Sequence, residues 1–300
     1  MEAVWFITAY FNPARFQTKF HNYCIFRGEL ERMGANLLTV ECALPDQAFE
    51  IPPGRGVLHV RSAAVLWQKE RLLNIALDAV SNTCRFVAWV DCDLIFLNHN
   101  LIKDIVHSLE EYAVTQIFDG MIRLPRGCLE PSNGEQPSES FMGGLLDSLS
   151  RPLKARVGHP GFAWAARREI LEACNGFYDA CIIGGADRVM AHAFLGDYHA
   201  PVVSRIAIGP IAPHYLEWAR GTYRVVHGSM SVVRGTVLHL WHGESGNRLY
   251  FERHISVADL GFNPYEDLIK NYWGCWEWAS SKPKLQDWIH AYFTARHEDG

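Results

Sequence analysis

Apolar residues fall in short continuous runs separated by longer stretches with helical spacing. Residues 4–10 form the first run, which ends at Asn12-Pro13; that pairing predicts a helix cap, proline in the first turn and a helix to about Met33. Residues 36–42 (NLLTVEC) predict a second buried strand and so an opening βαβ unit. A short strand is expected at 54–60 and an amphipathic helix over 65–80. The third core strand, 85–90 (RFVAWV), runs straight into Asp91-Cys92-Asp93. Asn100 predicts the cap of a helix to about Glu111, followed by strand-like 114–118 and a Gly-, Pro-, Ser- and Glu-rich stretch, 126–140, that reads as a mobile loop. Beyond it come a Gly-rich strand (158–165), a helix (167–174), a turn at Asn175-Gly176, a late strand (236–241) and amphipathic helices at the C-terminal end. This alternation predicts an α/β fold with a mixed, mostly parallel sheet flanked by helices. No repeat or linker interrupts it, so a body of 1–260 with a helical extension, 261–300, packed on the same domain is expected.

Composition narrows the function classes. With 49% hydrophobic and 20% charged residues in 300, the chain has the apolar surface to offset chain entropy, which excludes a disordered or low-complexity protein. The net charge of −5 gives no global attraction to polyanions or anionic membranes. Locally the balance differs, because from Arg205 to Arg253 there are six Arg, no Lys and only Glu217, Glu244 and Glu252 as acids. That stretch suits a diphosphate or a phosphodiester, although arginines spread over several surfaces explain it equally. Eight cysteines without a CxxC pair suggest reduced thiols and a cytoplasmic protein rather than a zinc cluster or disulfide framework. The N-terminus lacks a basic region and reads as a strand rather than a signal peptide, and no stretch approaches the ~18 apolar residues of a membrane span.

Three clusters carry chemistry. Asp91 and Asp93 stand at i and i+2 past a buried strand, where open α/β sheets bind ligands, and both can address one hard cation such as Mg²⁺ or Mn²⁺. The plain alternative is a solvated strand end, but apolar text on both sides holds the two charges at the rim of a core. In Gly184-Gly185-Ala186-Asp187 the glycines let backbone approach a ligand, and Asp187 is a candidate general base; a helix cap is its other reading. In His239-Leu240-Trp241-His242-Gly243 the period of a strand puts His239 and Trp241 on one face and His242 on the other. Regular backbone would then not bring both histidines to one ion.

Order and spacing over 4–255 resemble the metal-dependent GT-A glycosyltransferases. The segment Trp67-Gln68-Lys69-Glu70-Arg71-Leu72-Leu73-Asn74 is similar to the aromatic-Asn-Arg-Ala-Lys-Leu-Leu-Asn segment of galactosyltransferases, with Gln68 for Asn and Lys69 for Arg. The text from His159 through Asp187 is similar to their Gly-rich strand, Gly-Phe turn and acceptor motif, with Ala186 in place of Glu. The resemblance implies a Rossmann-like GT-A fold and a Mn²⁺- or Mg²⁺-dependent transfer of a hexose from a UDP-sugar, with inversion, Asp187 being the base. It assigns the metal to Asp91, Asp93 and His242, with His239 as runner-up. Thr8, Ala9, Tyr10, Trp67, Lys69, Arg71, Cys92 and Arg248 would face the nucleotide diphosphate, and Gly161, Trp164, Gly184, Gly185 and Trp241 the acceptor.

The C-terminal text, Trp241-His242-Gly243, then Gly261-Phe262-Asn263-Pro264-Tyr265-Glu266-Asp267 and a final Glu298-Asp299-Gly300, resembles phage and bacterial glycosyltransferases. Acceptors are therefore a glycan or small molecule, or a hydroxymethylated pyrimidine in DNA reached by base flipping. A relic that binds nucleotide sugar or glycan without turnover is the rival from another class. A nucleotidyltransferase would need a Gly-rich basic loop after the first strand, which residues 8–15 (TAYFNPAR) do not supply.

Overall fold

The computed structural model describes residues 4–81, 83–148 and 158–300, so residues 1–3, which precede the first apolar run, lie outside it. Its strands are β1 (Val4–Phe11), β2 (Asn36–Ala43), β3 (Val57–Arg61), β4 (Phe86–Val90), β5 (Leu94–Phe96) and β6 (Val114–Gln116). They continue with β7 (Gly120–Arg123), β8 (Ser138–Glu139), β9 (Ala163–Arg167), β10 (Met230–Val232) and β11 (Thr236–His239). The helices are α1 (Gln17–Arg32), α2 (Lys69–Ala79), α3 (Leu101–Glu111), α4 (Phe141–Ser148), α5 (Arg168–Ala173) and α6 (Ala186–Leu195). After them come α7 (Pro201–Ser204), α8 (Ile211–Val226), α9 (Glu252–Asp259), α10 (Pro264–Asp267) and α11 (Pro283–Thr294).

Seven strands form the main sheet in the order β10-β6-β9-β4-β1-β2-β3. All its pairs are parallel except those of β9, which runs antiparallel to both β4 and β6. This is the expected mixed, mostly parallel sheet. All five residues of β4 are buried, as a strand covered on both faces requires. Its alternation sends Val87 and Trp89 into an apolar cluster with Leu72, Leu73 and Val189, and Phe86 and Ala88 into another with Phe26, Leu30 and Leu109. A second sheet, β5-β11-β7-β8, pairs β11 antiparallel to β5 and parallel to β7. It carries the late histidines to the end of β4.

Several local expectations change. Asn12 does not cap a helix beginning at Pro13; its carboxamide closes a turn on the N–H and C=O of Phe16, at 3.0 and 2.9 Å. The helix starts at Gln17, and the cap comes from the other end of the chain: the Asp299 carboxylate accepts the N–H groups of Gln17 and Thr18, at 3.0 and 2.8 Å. The second helix begins at Lys69 rather than at residue 65, because the Trp67 N–H is drawn to the Ile182 carbonyl, 2.8 Å away. The expected strand over 158–165 is Ala163–Arg167, and the late strand stops at His239. The C-terminal extension is not wholly helical, since between α10 and α11 it folds a ribbon of β12 (Leu268–Lys270) and β13 (Trp276–Trp278). Among the described residues no helix is long and apolar enough to cross a membrane, and all eight cysteines are free thiols.

Burial raises the Asp299 carboxyl, but the N–H groups of Thr18 and Gln17 outweigh it and hold the group below the usual carboxylate range. Asp299→Ala is therefore expected to lower stability in urea unfolding by about 1 kcal/mol at neutral pH. A carboxyl held low stabilises the fold above its unfolded value, so the difference should shrink as pH falls below about 4.

Candidate active site

The sheet ends open onto one cavity of about 440 Å³. Its walls come from the end of β1 (Ala9, Phe11), the turn after β4, the start of α2, the strap 159–162, the start of α6 and the 241–254 segment, with Arg296 from the tail. Backbone and hydroxyl bonds fix this geometry. Thr8 Oγ1 donates to the Val90 carbonyl at 2.7 Å, locking β1 to β4 where the turn begins. The Asp91 N–H donates to Phe162 O at 2.8 Å, and the Leu240 N–H to Asp93 O at 2.9 Å, so strap and late strand are both tied to the Asp-Cys-Asp turn.

At the centre, Lys69 joins two carboxylates. Its Nζ lies 2.6 Å from Asp91 Oδ1, and 3.0 and 3.1 Å from the two oxygens of Asp187. Burial disfavours the ammonium, but Asp187 and Asp91 outweigh it and hold Lys69 protonated well above its ordinary range. Asp91 is pushed up to about 6, by burial first and then by Asp187 and Asp93, against the pull of Lys69. Asp93 moves the other way. Burial would raise it, yet His239 beside it holds it below the usual range.

Asp93, His239 and His242 are the described residues placed to share a metal ion, with one ligand atom from each lying within 4.8 Å of the others. Asp93 Oδ2 is 3.6 Å from His239 Nε2 and 3.6 Å from His242 Nδ1. The same carboxylate's Oδ1 is buried and accepts no hydrogen bond from the described residues. A buried, unbonded carboxylate oxygen beside two imidazoles suits a divalent cation. Burial, with Arg248 and His239, keeps His242 unprotonated, as a ligand must be. The Phe162 ring is stacked between His159 (4.0 Å) and His239 (4.5 Å), which sets the His239 plane. Gly184 and Gly185 enter α6 at φ +87° and +95°, backbone that L side chains resist, and a Cβ on Gly185 would press on the His254 ring at 3.1 Å.

Sequence reading divides on these residues. Ala9, Trp67, Lys69, Asp91, Cys92, Asp93, Gly161, Gly184, Gly185, Asp187, Trp241, His242 and Arg248 all line the cavity. Asp91, however, is engaged by Lys69 and is not grouped with Asp93, whereas His239 is. Both histidines reach one point because the strand ends at His239 and the chain turns, with Gly243 at φ +96°. Asp187 is not a cap: α6 begins one residue earlier, and both its oxygens go to Lys69.

Four residues expected at the site face elsewhere. Thr8 is buried against β4, and the Tyr10 hydroxyl is bonded to Glu50. Arg71 is buried, with NH1 2.8 Å from Asp179 and its guanidinium over Trp276. Trp164 is core, stacked with Trp89 and bonded to Pro160 O.

Arg248 borders the cavity, but one of its nitrogens donates to His242 Nδ1 (2.6 Å) and also lies 3.2 Å from Glu298. The basic stretch is no single patch: Arg234 pairs with Asp119 and Arg205 lies over Phe251. His159, Arg123, Arg188 and Arg296 line the cavity without having been singled out, since nothing in their local text marks them.

No protein-family model and no curated protein matches the chain. Among solved structures, the catalytic domain of Drosophila β1,4-galactosyltransferase 7 with xylobiose is similar at 15% identity and a TM-score of 0.35, over 78% of this chain and 65% of that one. Mannosyl-3-phosphoglycerate synthase from Rubrobacter xylanophilus is similar at 12% identity and a TM-score of 0.41, over 91% and 82%. A putative glucose-1-phosphate thymidylyltransferase from Bacillus anthracis is similar at 8% identity and a TM-score of 0.36, over 87% and 96%. The chain thus spans just under two thirds of the galactosyltransferase structure.

Glu70, buried in the first turn of α2 behind this site, is raised to about 8 by burial, against the pull of Lys69. A carboxyl raised on folding makes stability fall as pH climbs from the ordinary carboxylate value to the folded one. Glu70→Gln should therefore match the wild type below about pH 4 and exceed it by about 1 kcal/mol or more near pH 9, as measured by urea unfolding across that range.

Proposed function

We propose that the protein is a metal-dependent GT-A glycosyltransferase that moves a hexose from a nucleotide diphosphate sugar, specifically a UDP-sugar, to an acceptor hydroxyl. The observation that carries this reading is one cavity holding both a cation-binding trio (Asp93, His239, His242) and a separate carboxylate, Asp187, bridged through Lys69 to the Asp-Cys-Asp turn. When bound, a divalent ion supplies Lewis-acid neutralisation of the leaving diphosphate. The residues themselves do the rest. Lys69 is a cation at the cavity wall that donor phosphate can draw away from Asp187. Asp187, released, accepts the proton of the acceptor hydroxyl while that oxygen bonds to the anomeric carbon and the bond to the diphosphate breaks. Attack opposite the leaving group inverts the anomeric centre. Trp67, with the Arg296 guanidinium 5.1 Å over its ring, supplies a flat wall for the nucleoside.

One observation favours a second reading, donor binding without turnover: both oxygens of Asp187 are engaged by Lys69. Release of UDP from UDP-hexoses with Mn²⁺ separates the two readings. Asp187→Asn should lower turnover by about a hundredfold or more while changing UDP affinity by less than about threefold. Asp93→Ala should abolish the gain in UDP affinity that Mn²⁺ gives, read by titration calorimetry with and without the ion; Mn²⁺-dependent binding that survives it would sink the metal assignment.

A further inference from the structure

The cavity wall holds more positive charge than its acids and a donor can match. Most of its cations are committed within the protein. Lys69 is held by Asp91 and Asp187, Arg248 and Arg296 share the buried Glu298 at 3.2 and 2.5 Å, and Arg253 donates to the Tyr292 hydroxyl at 2.8 Å. Lys19 lies over the Tyr10 ring at 6.0 Å, whereas Arg123 and Arg188 line the cavity with no hydrogen-bond or ion-pair partner for either guanidinium among the described residues.

Their placement is specific. The parallel pairing of β7 with β11 sets Arg123 directly opposite His239, and cross-strand partners share a face, so Arg123 reaches the cavity beside the candidate cation site. Arg188 follows Asp187 in α6 and is partly buried, at a desolvation cost that lowers its pKa. Between them runs the strap 159–162. A Cβ on Gly161 would lie 3.4 Å from Asp187 Oδ2 and 2.9 Å from the His159 ring, so the strap touches the candidate base. His159, Arg123 and Arg188 line the same cavity, and burial first, then the two guanidinium charges, hold the His159 imidazole neutral. At the mouth, the half-exposed rings of Tyr250 and Phe251 offer a stacking surface, with Arg253 and Arg205 over them at 5.2 and 5.3 Å.

We propose that the acceptor carries a phosphate close to the hydroxyl it presents to Asp187, and that Arg123 and Arg188 receive that phosphate. This rests on the glycosyltransferase reading above. Two forked guanidinium donors in the cavity that holds the candidate base suit a phosphate oxygen pair, and a neutral acceptor would leave the partly buried Arg188 without an anion. The same chemistry is offered by a free sugar or nucleoside phosphate and by a phosphodiester in a polymer.

The test first titrates UDP with Mn²⁺ into the full chain, then titrates matched acceptors into the UDP–Mn²⁺ complex: a methyl hexoside against its phosphate monoester, and a nucleoside against its 5′-phosphate. The phosphate-bearing member of at least one pair should bind at least about tenfold more tightly. Arg123→Gln with Arg188→Gln should bring the two members of that pair within about twofold. Failure of UDP to bind with metal overturns the donor reading and this proposal with it. UDP binding with equal acceptor affinities overturns this proposal alone. A double variant that loses UDP affinity while keeping the phosphate preference assigns both arginines to the donor and also overturns it. Transfer from UDP-hexose to the preferred monoester, against transfer to a short duplex with hydroxymethylated pyrimidines, distinguishes the free phosphate from the phosphodiester; a steep loss of binding with salt belongs to the duplex.

Discussion

The site depends on one partly buried ammonium. Asp91, Asp187 and Glu70 crowd the entrance to α2, and two unit charges about 4 Å apart interact by about 4 kcal/mol at the effective dielectric of such a site. Burial keeps Glu70 in its neutral form at neutral pH, and Lys69 offsets the repulsion between the other two by bonding Asp91 and Asp187 together. Its position follows from the chain: α2 begins at Lys69 because Trp67 is held back by the Ile182 carbonyl, just before the Gly184-Gly185 entry to α6. One helix start thus aims the lysine, and a second aims the aspartate it meets. A site assembled this way carries its candidate base in a neutralised ion pair until another anion competes for the lysine.

The two aspartates of the turn show how environment, not residue type, sets chemistry. Two positions apart, Asp91 is raised to about 6 while Asp93 is lowered. Burial acts on both in the same direction. The difference is the partner: Asp91 also feels Asp187 and Asp93, whereas Asp93 faces two imidazoles and leaves one oxygen without a bond. Diverging pKa values in neighbouring carboxylates are the usual signature of divided roles. Here the division is between an oxygen suited to a cation and one that locks a lysine.

What was legible in the sequence was what short-range pattern encodes. Buried runs such as β4 announce themselves because a strand covered on both faces must be apolar throughout, and an aspartate pair at the end of one stands out against it. What was not legible depends on where the chain goes after a regular element ends. Strand periodicity separated His239 from His242, yet the strand stops at His239 and the turn at Gly243 brings the rings to 4.5 Å. Arg71 and Lys69 stand two apart on one helix start and read alike, but Asp179 lies behind one and the cavity in front of the other. Trp164 was misplaced for the same reason: β9 alternates, and its register against Trp89 puts that ring in the core. Each error is a tertiary contact overriding a local rule.

The C-terminal residues make the same point on a longer scale. Arg296 covers Trp67, Glu298 holds the arginine that bonds His242, and Asp299 caps α1, a contact spanning 282 residues. The Trp67 face, the Asp93, His239 and His242 cluster and the first helix are therefore all completed by one short segment. Contacts of such separation carry a large loop-closure cost and form after local structure has reduced it. The sheet and its Asp-Cys-Asp turn can assemble without the tail, since their pairings lie within residues 4–239. The cavity cannot, because its Trp67 face and the orientation of His242 rest on residues 296–298. The fold thus separates into a frame set by the sheet and a site completed only once residues 296–298 pack against Trp67 and Arg248.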